Sequence, residues 1–238
     1  MSKKDLNQNA KYTQEIINLL EYEFSFNDQP INRFKINTRN YNSDKDKSQK
    51  LLDLKQKINS IEDCKIKSNG KKLIMGDGNV NSLIMLVGEA PGAEEEISGL
   101  PFKGESGDLL KKMFIAINVK IENIYKTYAI NFRPPEDRKP SSLEIKRYSN
   151  FLKDHISIIN PKIIILMGST AMEAVTGINT RISSERGKWQ EIILKNKTYP
   201  LMITFSPSYL IRFPENKKYS WIDLKKIKQK IKDLSLEI

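Results

Sequence analysis

The chain has 238 residues, a formal net charge of +11 from 40 Lys and Arg against 29 Asp and Glu, one cysteine and one histidine. That length suits one α/β domain with an extension and a sizeable core. Cys64 and His155 stand alone, which excludes an intramolecular disulfide, a Cys/His zinc site and a four-cysteine iron–sulfur cluster, so no metal or cofactor is expected. No apolar run reaches the roughly 18 residues of a membrane span. Residues 1–10 carry charge without the apolar segment of a secretory signal, and a cytoplasmic protein is expected. The positive charge suits a polyanion partner, but only eight of the basic residues are Arg, and a Lys/Ile/Asn-rich composition accumulates surface lysines without purpose.

In chain order, residues 12–24 carry Ile16, Ile17, Leu19 and Leu20 at helical spacing, 27–50 read as a polar linker, and 50–61 as a short helix with Leu51, Leu52, Leu54 and Ile58. From Cys64 onward apolar strands alternate with helical patterns. Strands are expected at 83–87, 123–130, 162–167 and 201–205, and helices at 106–117, 141–159, 169–176 and 217–234. Continuous apolar strands between helices predict an α/β fold, a three-layer αβα sandwich around a short, mainly parallel four-stranded sheet. Residues 1–62 would form a charged extension and 63–238 the folded domain. His155 reads as a surface or packing residue, and Trp189 and Trp221 as packing anchors, with Trp189 following Arg186-Gly187, a loop that could approach DNA. In the last helix, Leu224, Ile227 and Ile231 would turn inward from a charged face.

The chemistry concentrates in three loops. The strand at 83–87 runs into Gly88-Glu89-Ala90-Pro91-Gly92, and an open α/β sheet places its chemistry at the carboxyl ends of its strands. The loop is neither a dinucleotide fingerprint nor a phosphate loop. Glu89 either positions a water or is a solvated carboxylate. The run Glu94-Glu95-Glu96 reads as helix-start or solvated charge. Phe102 either packs in the core or stacks on a flat base. A second loop, Arg133-Pro134-Pro135-Glu136-Asp137-Arg138, has arginines flanking a fixed extended path, which suits phosphate contact or a plain surface turn. The third, Ser206-Pro207-Ser208-Tyr209-Leu210-Ile211-Arg212, follows the last strand and can face the same pocket as the first.

Taken in order, these pieces resemble the uracil-DNA glycosylase superfamily, most closely its type-4 branch, from about residue 63 to the C-terminus. The likeness also rests on Gly76-Asp77-Gly78-Asn79, on Gly99-Leu100-Pro101-Phe102-Lys103-Gly104-Glu105-Ser106-Gly107, on Ile164-Ile165-Leu166-Met167-Gly168-Ser169-Thr170-Ala171 and on Arg186-Gly187-Lys188-Trp189. The resemblance implies a monomeric base-excision repair enzyme that flips uracil, or a related deaminated base, out of DNA and hydrolyses its N-glycosidic bond to leave an abasic site. It implies that Glu89 and the Gly88, Ala90, Pro91 and Gly92 backbone contact the water and the base, and that Phe102 stacks on it. It further implies that Arg133, Arg138, Ser208 and Arg212 lie near DNA, with Leu210 as the wedge filling the gap.

Two positions depart from the family pattern. Tyr128 stands where an Asn usually reads the pyrimidine edge, exchanging a planar amide for a bulky phenol. Ser206 stands where a His usually opens the last loop, and losing such a donor typically costs about 10²–10³ in rate. The four cluster cysteines of many type-4 members are also missing. Three functions follow: an active glycosylase with slower chemistry or altered base preference, a descendant that binds DNA without cleaving a base, or the same fold used for an unrelated partner.

Overall fold

The computed structural model describes residues 43–237 apart from 63, 70 and 71, and the helical pattern at 12–24 lies outside the described residues. Its centre is four parallel strands: β2 (Ile84–Gly88), β3 (Ile124–Tyr128), β4 (Ile163–Met167) and β6 (Lys197–Thr204). Edge strands β1 (Gly76–Asp77) and β5 (Trp189–Leu194) run antiparallel to β3 and β6, giving the order β1-β3-β2-β4-β6-β5. The sheet is therefore six-stranded, not four-stranded; the four expected strands are its parallel interior.

The two edges escape an apolar-run reading for a physical reason. Strand β1 has two residues, held to β3 partly by a 2.8 Å ion pair between Asp77 and Lys126. Strand β5 is half exposed, with Ile193 72% accessible, so it shows no continuous apolar run. It joins β6 through Lys195-Asn196, both at positive φ (47° and 63°), the backbone that a two-residue hairpin turn requires.

Strands β2 and β4 are buried at every position, as expected of parallel strands covered on both faces. Alternate residues feed two cores. Met85, Val87, Ile164, Leu166, Leu201 and Ile203 face one layer, where α1 (Ser43–Asn59), α5 (Ser142–Ile159) and α6 (Ser169–Thr176) pack. Ile84, Leu86, Ile163, Ile165 and Met202 face the other, with α4 (Gly104–Ile115) and α9 (Lys217–Asp233). Leu224, Ile227 and Ile231 of α9 point into that core. Helix α5 begins on a capping box between Ser141 and Glu144 and ends at Asn160 in the left-handed conformation.

The N-terminal boundary is drawn by packing. Residues 43–50, read as linker, are the first turns of α1, whose Leu54 and Ile58 are buried against the domain core. Helix α1 thus belongs to the compact unit that starts at Asn42. Trp221 is also not the packing anchor expected: it is 43% exposed, with the Lys225 ammonium 6.0 Å from its ring. Among the described residues no helix is long and apolar enough to cross a membrane.

His155 is buried in α5, with its Nε2 2.9 Å from the Tyr125 hydroxyl. Burial disfavours the imidazolium and pushes its pKa down to about 3 from the usual 6.5. The unfolded chain therefore binds more protons than the folded one between these values, and stability falls as pH drops through that window. Denaturant titrations between pH 6.5 and 5, above the carboxylate range, should show a loss from this one group that steepens from about 0.7 toward about 1.4 kcal/mol per pH unit. In His155→Gln that slope should flatten.

Candidate active site

The parallel strands end on one edge, and their loops enclose a cleft of about 610 Å³. Gly88, Glu89, Ala90, Pro91 and Gly92 form its floor, Phe102 and Tyr128 one wall, and Ser206, Ser208 and Arg212 another, with Arg138 at the rim. Residues separated by more than a hundred positions meet here because β2, β3, β4 and β6 are adjacent and parallel.

Glu89 follows β2 directly and reaches the N-terminus of α6. One carboxylate oxygen accepts the Thr170 backbone N–H at 3.1 Å and the Ser169 hydroxyl at 3.4 Å; the other accepts the Ser206 hydroxyl at 3.0 Å. A negative side chain at that end complements the helix dipole and satisfies one of its orphan donors. The close approach needs Gly168, whose φ is +102° and where an added Cβ would lie 2.2 Å from the Glu89 carboxyl carbon. Ser206 is at once the N-cap of α8 (Pro207–Arg212), accepting from Tyr209 N–H at 3.4 Å, and lies 3.2 Å from the Ser208 hydroxyl. Its hydroxyl hydrogen is committed to Glu89, so in this arrangement Ser206 donates to the carboxylate.

The other wall is organised by one residue of the three-glutamate run. Glu95, in α3 (Ala93–Ser98), is only 6% exposed. Its carboxylate accepts Gly92 N–H at 2.9 Å, Lys103 N–H at 3.1 Å and the Tyr128 hydroxyl at 3.0 Å. Of the two expectations for this run, Glu95 is helix-start charge and not solvated. The signal present in the sequence was Gly92-x-x-Glu95, a carboxylate three residues after the N-cap of α3. Tyr128 also accepts Phe102 N–H at 3.0 Å, and the two rings stack with centroids 4.8 Å apart and planes 27° apart. Burial, and then the adjacent Glu95 carboxylate, push the Tyr128 phenol well above its usual pKa, so it stays a neutral donor. Tyr128 is 5% exposed: the ring has turned inward, onto Phe102.

Three arrangements differ from what the sequence suggests. Leu210, expected to be a wedge, is 1% exposed and belongs to the core between sheet and α9; the inner side of six-residue α8 must be apolar to seat it. The exposed large hydrophobe at this loop is Phe213, 45% accessible, its ring 4.9 Å from Tyr209, which in turn stacks on Phe205 at 4.8 Å. Arg133 lies outside the cleft and is paired with Asp137 (2.7 Å) and Glu96 (3.2 Å). Arg138 lines the cleft but holds Glu144 through two hydrogen bonds of 2.7 and 2.9 Å. The Arg138 guanidinium holds the Glu144 carboxyl down at about 2. A phosphate must compete with carboxylates for either arginine. Arg212 is exposed, its side chain reaching back to the Ser208 carbonyl at 3.4 Å.

Nothing here fits a protein-held iron–sulfur cluster. One thiol cannot supply four ligands, and buried Cys64 sits 3.6 Å from the Tyr148 hydroxyl, beside the edge-on pair Phe132–Tyr148. Among the described residues no group of three or more His, Cys, Asp and Glu is placed to hold a metal ion.

Comparison with known proteins agrees with the geometry. Residues 75–228 match the family model of the uracil DNA glycosylase superfamily. The chain is 33% identical over 180 residues to the type-4 uracil-DNA glycosylase of Thermotoga maritima, covering 74% of this chain and 92% of that protein. It is 29% identical over 181 residues to the type-4 uracil-DNA glycosylase of Archaeoglobus fulgidus, covering 74% and 91%. A DNA polymerase of Bacillus phage SP01 matches at 28% identity over 160 residues, 67% of this chain but 17% of that polymerase.

Because Glu95 joins three segments, Glu95→Ala should cost on the order of 3 kcal/mol in chemical denaturation, the scale of a buried charged acceptor removed from its donors. Exposed Glu94→Ala, one residue away, should stay within about 0.5 kcal/mol of wild type. Equal effects would assign the run to solvated charge after all.

Proposed function

The chain belongs to the uracil-DNA glycosylase superfamily, and from that premise we propose that it is a base-excision repair glycosylase acting on uracil or a related deaminated base in DNA. The observation that carries this reading is Glu89, fixed at the end of β2 by Thr170, Ser169 and Ser206 and lining a cleft of about 610 Å³.

The reaction asks for little covalent chemistry. A nucleotide turned into the cleft brings its sugar over the Gly88–Gly92 floor. The bond from C1′ to the base nitrogen breaks and the base leaves with the electron pair. A water oxygen bonds to C1′, and its proton passes to Glu89 before reaching solvent. The carboxylate also stabilises the cation-like sugar. Ser206 orients the carboxylate. With its hydrogen so engaged, it offers the leaving base no donor, which is why slow chemistry is expected. The partner is DNA, and the positive charge supplies a salt-sensitive attraction to phosphate. At the α8 loop the side chain free to press between bases is Phe213.

One observation favours a second reading, binding without cleavage: Tyr128 covers a face of the ring on which a base would stack. Single-turnover assays on oligonucleotides carrying uracil, hypoxanthine or xanthine, followed by alkaline strand scission, separate the two. Cleavage by wild type that falls at least about 100-fold in Glu89→Gln supports the glycosylase. No cleavage of any substrate, with binding retained, moves the chain to the second reading. In either case Phe213→Ala should weaken damaged-duplex binding by roughly tenfold, the scale of one lost aromatic–base contact. Binding that survives unchanged would remove Phe213 from the interface.

A further inference from the structure

The wall of the cleft carries a flat ring that is already covered. Tyr128 ends β3 and pairs in register with Gly88 at the end of β2. A Cβ at Gly88 would lie 2.7 Å from both Phe102 and Tyr128, so the bare backbone there is what admits the two stacked rings. Neither ring is loosely placed. Phe102 is held at φ 55°, a turn that exists because Gly107 has no side chain: a Cβ there would lie 2.0 Å from the Phe102 carbonyl oxygen. The phenol is fixed on both sides, donating to Glu95 and accepting from Phe102 N–H, and Glu95 is anchored by two further backbone donors.

This geometry has a consequence for what the cleft accepts. A flipped base needs a flat apolar face on one side, and base–aromatic stacking is a main source of its affinity. On Phe102 that contact is made by the protein's own ring. Admitting a base against Phe102 requires Tyr128 to leave, which strips Glu95 of a donor and leaves Phe102 N–H without its acceptor in a buried corner. A deoxyribose that has lost its base asks for none of this. It needs the Glu89 side of the cleft, where the carboxylate is held by Thr170, Ser169 and Ser206 and makes no bond to Tyr128.

We propose that Tyr128 is a built-in occupant of the base seat, a specificity-determining residue through which the closed cleft favours an abasic nucleotide over one that retains its base. The inference rests on the reading that the cleft takes a flipped nucleotide from DNA; it does not require that the protein cleave one. A base enters only with the ring displaced, and the closed arrangement is the one that keeps the baseless product.

Binding decides this without any turnover. Fluorescence anisotropy would compare three duplexes: one with a tetrahydrofuran abasic analogue, one with a non-cleavable 2′-fluoro-deoxyuridine, and one undamaged. Wild type should bind the abasic analogue roughly 10- to 100-fold more tightly than the 2′-fluoro duplex, the range set by one stacking contact. Tyr128→Ala should bring that ratio near unity by strengthening the 2′-fluoro complex, while Tyr128→Phe, which keeps the ring, should retain most of it. A wild-type ratio near unity overturns the proposal, as does a ratio unmoved in Tyr128→Ala. The wild-type ratio needs no variant, so a variant that fails to fold does not shield the idea. Indifference among all three duplexes would instead defeat the reading of the cleft as a nucleotide site, a separate failure from a selective site that prefers the base.

Discussion

The cleft wall depends on one buried carboxylate. Glu95 takes backbone donors from Gly92 and Lys103 and a phenolic donor from Tyr128, and so ties the floor loop, the Phe102 turn and the end of β3 to a single point. A charge taken out of water is tolerated only when its lone pairs are met, and three donors meet these. Because the donors come from three segments, each fixes the others. The loop after β2 cannot shift without disturbing the turn that presents Phe102, and neither moves without Tyr128.

Glu89, the chemically exposed carboxylate, is held by the same logic on the opposite side. It serves the N-terminus of α6 as a capping acceptor and the α8 loop as the partner of Ser206. A carboxylate fixed at a helix N-terminus keeps its place without a salt-bridge partner. The side chain that lines the cleft is therefore also one that joins two of its loops. The neighbouring loop is braced independently: Asp223, buried in α9, accepts from Thr204 at 2.7 Å and from Arg186, whose guanidinium lies 5.4 Å from the Phe205 ring just before Ser206. Burial raises the Asp223 pKa against the opposing pull of Thr204 and Arg186.

How much of this was legible follows from the range of each signal. The two central strands announce themselves because burial on both faces demands unbroken apolar runs, and Ile163-Ile164-Ile165-Leu166-Met167 has one reading. Edge strands β1 and β5 face water on one side and leave no such run. Glu89 is readable from its place after β2. Glu95 is hidden in a run of three glutamates, since which of them turns inward depends on the pitch of a six-residue helix and on a tyrosine 33 positions away. The burial of Leu210 is illegible for a related reason: a short helix packed on α4 must bury one side, and motif order does not say which residue lies there. The inward turn of Tyr128 is set by Gly88 on a neighbouring strand, a contact that no local pattern encodes.

The central claim is that the Glu95-held phenol fills the face of Phe102 and leaves Glu89 with a seat suited to a bare sugar. A crystal structure of the protein bound to a duplex carrying the tetrahydrofuran abasic analogue tests it most directly. The account predicts the Tyr128 ring still stacked on Phe102 and bonded to Glu95, with the flipped sugar against the Gly88–Gly92 floor beside Glu89. A Tyr128 ring swung out of the cleft, leaving the Phe102 face open, would contradict it.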